Sequence, residues 1–345
     1  MATRLADIAA QAGVSEATVS RVLNGKPNVS TGTRQAVLTA LDVLGYERPP
    51  RLRPQRAGLI GLIVPELTNP IFPVFAQIIE TALATSGYTA VLCTQTPGGI
   101  REDDYTDLLL ERGVAGIIVV SGMHADSTSA LDRYTRLTER GLPLVLINGY
   151  REGVDAPFIS NDDTTSIELG VEHLISLGHT RIGLAVGQER FVPSIRKAAG
   201  FRRALEAGLG VKGAEADELV APSLFTVEGG HAAASRLLDL GCTAVCCGSD
   251  IMAIGAIRAA RQRGLRVPED VSVVGFDDSP LVPYLDPPLT TIRQPVREMS
   301  MAAVGYLLEE LGGNRVPRGE LLYRPELVVR RSTGPVARTG PVEVG

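Results

Sequence analysis

The stretch LADIAAQAGVSEATVSRVLNGKPNVS, residues 5–30, decides how this chain reads. Leu5, Ile8, Ala9 and Ala12 recur at helical spacing and make one apolar face. Gly13 follows directly, where a sharp turn needs a positive φ or room for close packing. Ser15 stands where an N-cap is needed, and Val19, Val22 and Leu23 give a second helix its buried side. Glu16, Ala17, Thr18, Ser20 and Arg21 are left on or near the outer face. Short polar side chains and an Arg are what base edges and phosphates call for. Asn24-Gly25 ends the helix, and Ser30 or Thr31 can cap a third from about Thr33 to Leu44. Two short helices around a glycine turn, the second polar on one face, have the build of a helix-turn-helix that enters the major groove. The plainer reading is a helical hairpin inside a larger core. A terminal, self-contained and basic stretch argues against it.

Charge divides the chain in the same place. Residues 1–58 hold eight Lys or Arg against four acids, a net of +4, while the whole chain carries −5. The remaining residues therefore carry −9. A basic head on an acidic body suits a protein that puts only its head on DNA. Apolar residues at 44% suffice for a sizeable core. No long apolar run suggests a membrane span and no N-terminal segment reads as a signal peptide, so the expected compartment is the cytoplasm. Cys93, Cys242, Cys246 and Cys247 fit neither a disulfide framework nor a usual zinc spacing. Cys246-Cys247 lie in the apolar run AVCCGS, which reads as a buried strand; no metal or cofactor is implied.

Behind the head, short apolar runs alternate with helical patterns. Strand candidates are 59–64, 90–93, 116–120, 144–147, 158–159, 182–186, 244–247 and 271–275. Helical patterns lie near 73–86, 106–112, 131–140, 165–177, 195–207, 228–240, 252–263 and 296–311. This alternation predicts parallel sheets covered by helices, divided between two lobes. Ligands in such folds bind beyond the carboxyl ends of the strands. Those ends are polar here: Pro65-Glu66, Thr94-Gln95, Ser121-Gly122, Asn148-Gly149, Gly187-Gln188, Ser249-Asp250 and Phe276-Asp277-Asp278. Amides and carboxylates suit sugar hydroxyls, and aromatic faces suit the C–H side of a sugar ring. An enzyme on the same scaffold would need a nucleotide loop or a catalytic setting. No G-x-G-x-x-G follows a strand, and His124, His173, His179 and His231 have no paired partner in the sequence. A transport-type sugar-binding protein would lack the DNA head. The expectation is a non-enzymatic regulator.

These residues resemble the LacI/GalR family of transcriptional regulators over nearly the whole chain, from Thr3 to about Thr333. The head matches in GVSEATVSRVLNGKPNVS and LDVLGY. The body matches in IGLIVPELTNPIF (60–72), GVAGIIVV (113–120), LGHTRIGLAVG (177–187), GSDIMAIGAIRAARQRGLRVPEDVSVVGFDDSP (248–280) and PPLTTIRQP (287–295). GYERP, CTQTPGG, ERFVP and LFTVEGG are similar to actinobacterial members that answer to maltose or maltodextrin.

The resemblance implies an N-terminal all-α helix-turn-helix head at 1–46 and a hinge at 47–58. Behind them it implies an α/β, two-lobed core similar to periplasmic binding proteins at 59–333, and a flexible tail at 334–345. Lobe one is expected at 59–159 plus 291–317, and lobe two at 160–290 plus 318–333. The tail lacks the apolar heptads that would join dimers into tetramers, so a homodimer is expected. The implied partners are operator DNA and a small sugar effector, maltose or maltodextrin favoured. The implied activity is repression relieved by sugar, the alternatives being another sugar or a corepressor.

Carried over residue by residue, DNA contacts fall on Thr3, Ser15, Glu16, Ala17, Thr18, Ser20, Arg21, Asn24, Val29 and Ser30. Glu16 and Ala17 hold the pair of positions that reads operator bases in the family. Leu52 and Arg53 fall where a hinge helix places a minor-groove wedge, but the run before them is about three residues short. Pro49, Pro50 and Pro54 also flank the site and disfavour a helix interior. Ligand contacts fall on Asn69, Phe72, Asn148, Phe191, Phe225, Ser249 and Asp277. Where the family carries an effector-binding Arg this chain has Lys197, with Arg196 beside it; Lys lacks the planar fork of Arg.

Overall fold

The structure is a computed structural model and describes residues 5–26, 29–46, 58–95 and 99–336. The chain divides into two compact units, at 1–57 and 58–345.

The first unit is a three-helix head: α1 (Leu5–Ala12), α2 (Glu16–Leu23) and α3 (Thr31–Val43). Ile8 from α1, Val19 and Val22 from α2, and Val37 from α3 are wholly buried against one another. Gly13 has a φ of 64°, so the turn between α1 and α2 needs the residue without a Cβ. Ser15 caps α2, accepting from the Thr18 amide at 3.2 Å, and Ser30 caps α3, accepting from the Thr33 amide at 3.1 Å.

The second unit carries two six-stranded sheets. Sheet one contains β1 (Gly58–Val64), β2 (Tyr88–Thr94), β3 (Gly116–Val120), β4 (Leu144–Ile147), β5 (Pro157–Asn161) and β11 (Gly319–Tyr323). They lie in the order β2-β1-β3-β4-β5-β11, all parallel. Sheet two contains β6 (Ile182–Val186), β7 (Val220–Pro222), β8 (Ala244–Cys247), β9 (Ser272–Asp277), β10 (Thr290–Arg293) and β12 (Glu326–Val328). Their order is β7-β6-β8-β9-β10-β12, with only β12 antiparallel.

Strands buried on both faces explain the unbroken apolar runs in the sequence. Ile60, Leu62, Ile118, Val145 and Ile159 face α4 (Ile71–Thr85) and α12 (Val296–Leu311). Ile63, Ile117, Val119 and Leu144 face the other way, toward α5 (Glu102–Glu111) and α6 (Asp132–Glu139). Sheet two is covered by α7 (Asp163–Ser176), α8 (Val192–Leu209), α10 (Val227–Asp239) and α11 (Asp250–Gln262), with the short α9 (Ala214–Glu218) beside β7. Helices α10 and α11 meet backbone to backbone. A Cβ on Gly230 would come within 2.1 Å of the Met252 carbonyl, and one on Gly255 within 2.1 Å of the Val227 carbonyl. That contact fixes the starts of both helices, which face the cleft.

The chain crosses between the sheets three times: after β5, between β10 and α12, and between β11 and β12. The second and third crossings differ from the boundaries expected at 290 and 317. Strand β10 belongs to sheet two, so lobe two extends through Arg293, and β11 pairs with β5, so lobe one extends through Tyr323. Residues 334–336, expected in the tail, are anchored: the Val336 amide donates to the Leu177 carbonyl at 3.1 Å, and the Gly334 amide to Ser272 Oγ at 3.0 Å. Apart from Gly58, which opens β1, the hinge lies outside the described residues, as do Thr3, Leu52 and Arg53.

Candidate functional site

Strand ends from both sheets converge on one cavity of about 420 Å³. Three of its walls are strained. Ser121 after β3, Asn148 after β4 and Asp277 at the end of β9 have φ values of 47°, 63° and 125°. Such backbone costs roughly 1–3 kcal/mol per residue and persists where a site over-determines it. Among the described residues only one other non-glycine residue, Asp278, shares this sign of φ. Its carboxylate is held by Arg293 and Arg330.

The first lobe contributes Asn69 just before α4, Phe72 from its first turn, and Asn148 after β4. Asn148 Nδ2 donates to Ser121 Oγ at 3.1 Å, and its carbonyl lies 2.6 Å from Nε2 of the fully buried His124. Burial lowers the His124 pKa, against the pull of Glu102. Gln95, on the same wall, donates to Glu102 Oε2 at 2.9 Å, and that oxygen also accepts from the Met123 amide at 2.8 Å. A buried carboxylate thus braces the loops after β2 and β3 from behind.

The second lobe contributes Phe191, Lys197, Phe225, Ser249 and Asp277. Phe225 lies on Gly187, where a Cβ would come within 2.0 Å of its ring. Its ring centroid is 6.3 Å from that of Phe191. Ser249 is the N-cap of α11 and accepts from the Met252 amide at 3.3 Å. Asp277 is 4% exposed; Gln294 donates to its Oδ1 at 2.5 Å, and its Oδ2 has no partner. Burial, then the charge of Asp250, raises its carboxyl well above the usual range. Burial pushes Asp250 itself up to about 6, against bonds from Thr291 and Ser279.

Lys197 and Arg196 separate. Lys197 is 2% exposed, donates to Asp163 Oδ1, and holds its ammonium 3.7 Å above the Phe276 ring centroid. Burial raises the Asp163 carboxyl, opposed by this ammonium. Arg196, expected among the ligand contacts, does not line the cavity. It makes a bidentate pair with Glu320 of β11, at 2.6 and 2.9 Å. Neighbouring residues on a helix point about 100° apart, so only one of the two can face the cleft. Asp163 and Gln294 also line the cavity and were not singled out from the sequence. Asp163 is the residue after the first strand-to-helix cap of lobe two. Gln294 follows β10, whose threonine-rich sequence gave no apolar run.

In the head, Ser15, Glu16, Ala17, Arg21, Asn24 and Ser30 are exposed, while Thr18 and Ser20 are half-buried. Val29 packs its side chain on the head core. Asn24 Nδ2 donates to Ser20 Oγ at 3.3 Å and closes the second helix.

The sequence pattern of the bacterial regulatory proteins of the lacI family matches residues 4–49, and that of a periplasmic binding protein-like domain matches residues 171–333. The chain is 63% identical over 335 residues to the HTH-type transcriptional regulator reg1 of Streptomyces lividans, covering 96% of this chain and 97% of that one. It is also 63% identical over 334 residues to the HTH-type transcriptional regulator MalR of Streptomyces coelicolor, again covering 96% and 97%. Among solved structures, a complex of the transcriptional regulator CelR with cellobiose is similar with a TM-score of 0.72 and 31% identity, covering 96% of this chain and 99% of that one. A lac repressor dimer bound to operator and the anti-inducer ONPF is similar with a TM-score of 0.69 and 29% identity, with the same coverage. The helix-turn-helix head and the two-sheet core therefore have one origin: the chain belongs to the lacI family of bacterial regulatory proteins.

Proposed function

We propose that this chain is a sugar-responsive, sequence-specific DNA-binding repressor that leaves its operator when a neutral sugar, maltose or a maltodextrin, fills the cavity. The observation that carries the reading is the unpartnered Oδ2 of Asp277, a residue that lines the same cavity as Phe191, Phe225 and Phe276. A buried acceptor without a donor beside aromatic walls is what a sugar ring completes. Among the described residues the one Lys or Arg lining the cavity, Lys197, already carries the Asp163 carboxylate, which disfavours an anionic effector. A cavity of about 420 Å³ is of the size that encloses a small ligand. The similarity to a regulator solved with cellobiose supports a disaccharide and leaves another sugar as the second reading.

The likeness to a dimer on operator supports a homodimer whose two heads grip adjacent major grooves of a palindrome. Glu16 and Ala17, exposed at the start of α2, would read bases, and a Glu there can accept from a cytosine amine. No enzymatic step is assigned. His124, His173 and His179 are spent on bonds within the core, to Asn148, Thr333 and Ser272. A DNA-binding regulator of this kind works in the cytoplasm, and no described helix is long and apolar enough to cross a membrane. Calorimetry of the full chain against maltose, maltotriose, cellobiose, trehalose and galactose tests the ligand. Failure of every α-glucoside to bind would overturn the maltose reading.

A further inference from the structure

Two loops meet across the cleft between the lobes. One follows β3 through Met123–Ala125 to Ser129, and the other joins β6 to α8. They are tied by backbone and side chain together. Asp126 and Phe191 form an isolated antiparallel bridge, in which the Ser127 amide donates to the Arg190 carbonyl at 2.7 Å. Arg190 Nε stands 3.4 Å from Asp126 Oδ2. That carboxylate is 4% exposed and is fixed from its own lobe, since Oδ1 accepts from the Thr128 amide at 2.9 Å and the Thr128 hydroxyl at 2.6 Å. Arg151 donates to the Asp126 carbonyl at 2.6 Å.

Arg190 does not itself line the cavity, but it packs on a residue that does. Its guanidinium carbon lies 5.0 Å from the ring centroid of Phe191, which lines the cavity and leans on Phe225. One guanidinium therefore joins the carboxylate of the opposite lobe to an aromatic ring of the cavity wall. Further along α8, the Arg196–Glu320 pair crosses between the same two lobes.

We propose that Asp126 and Arg190 form a latch across the ligand cleft, positioning Phe191 against the ligand and setting how fast the ligand leaves. The proposal rests on the reading of the cavity as the sugar site. Lobes joined by hinge crossings must part for a ligand to escape. A contact made only when the lobes are together slows escape and leaves encounter nearly untouched. Half-exposed ion pairs and cation–π contacts are individually modest, so the combined effect is a few-fold to tenfold change.

The test measures maltose dissociation by NMR line shapes on the full chain, with Arg190→Gln, Asp126→Asn, the double variant, and Arg190→Lys. Arg190→Gln and Asp126→Asn should each raise the dissociation rate about three- to tenfold, with the association rate within twofold. The double variant should go no further than the singles, as expected of one shared contact. Arg190→Lys, which keeps the charge and loses the planar stack, should fall between. Arg202→Gln, at an exposed pair with Asp217 inside one lobe, should change nothing. Hydrogen exchange of the Ser127 amide gives a readout that needs no sugar, and Arg190→Gln should speed it. Unchanged Ser127 exchange with unchanged dissociation overturns the latch. Faster Ser127 exchange in a chain that binds no maltose even unaltered supports the latch and overturns the choice of maltose.

Discussion

Gln294 donates its Nε2 proton to Oδ1 of Asp277 and leaves Oδ2 of the same carboxyl unpartnered in the cavity wall. The two residues come from the ends of adjacent parallel strands, β9 and β10, so the sheet itself sets their spacing. One oxygen aims the group, and under the proposed function the other is kept for the sugar.

Asp277→Asn should keep the Gln294 contact through its remaining oxygen and present an amide N–H donor where an acceptor is needed. Sugar affinity should fall by about 1–3 kcal/mol, roughly fivefold to more than a hundredfold in Kd. Calorimetry measures it, with operator affinity in the absence of sugar as the control, which should not move. An unchanged Kd would remove Asp277 from the site.

Lys197→Met should leave the Asp163 carboxyl buried without its partner, the two side chains being 3% and 7% exposed in the pair. The expected loss of stability is about 3–5 kcal/mol, read by denaturant unfolding of the core transition. Adding Asp163→Asn removes the uncompensated charge and should restore most of that loss. If the single and double variants are equally unstable, the pair is not what holds this wall.

The Asp250 carboxyl accepts from Thr291 Oγ1 at 2.6 Å, a bond that favours its charged form. Its folded pKa of about 6 lies above the ordinary 3.8. An acid raised on folding costs no stability below its unfolded pKa. Stability is then lost as the pH climbs through the window from about 4 to about 6. Thr291→Val should push the folded pKa higher and extend that window upward. The variant should therefore lose more stability, relative to the unaltered chain, at pH 7.5 than at pH 4.5, by roughly 1 kcal/mol. Equal losses at both pH values would show that Thr291 does not tune this acid.

In the head, Ser15→Ala removes the cap of α2 and should lower head stability by about 1 kcal/mol. Glu16→Ala changes an exposed side chain with no described bond to the head core, so folding should be untouched. Its effect belongs to base preference: selection from a randomised operator pool should show relaxed preference at one position per half-site, of about 1–3 kcal/mol. A preference identical to that of the unaltered chain would take Glu16 out of the reading surface.

Much of this was legible in the residues themselves. The apolar phase of Leu5–Ala12 and Val19–Leu23 placed both helices of the head, and the helix at 296–311 has the bounds its periodicity gave. The polar dipeptides at strand ends marked the cavity because runs such as GIIVV and LVLI stop where the sheet stops. The missed strands failed that signal for physical reasons. β11 is an edge strand, GELLY, with two exposed leucines, and β7 and β12 are three-residue edges. β10 buries two threonines that hydrogen-bond to Asp250 and the C-terminal segment, so a central position does not look apolar. The choice between Arg196 and Lys197 depended on helix phase around α8, which one residue of uncertainty reverses. Asp126 carried no pattern at all, since its role arises from a loop meeting a loop of the other lobe that is distant in sequence.

The central claim is that head and cavity are two ends of one switch. The most direct measurement is fluorescence anisotropy of a selected palindromic duplex with the full chain, at fixed salt, titrated with maltose. Linkage of this kind is typically about 1–3 kcal/mol, so saturating maltose should weaken operator binding roughly 5- to 150-fold. Operator should weaken maltose binding by the same factor. Operator affinity that stays constant or tightens as maltose saturates the cavity would contradict the account.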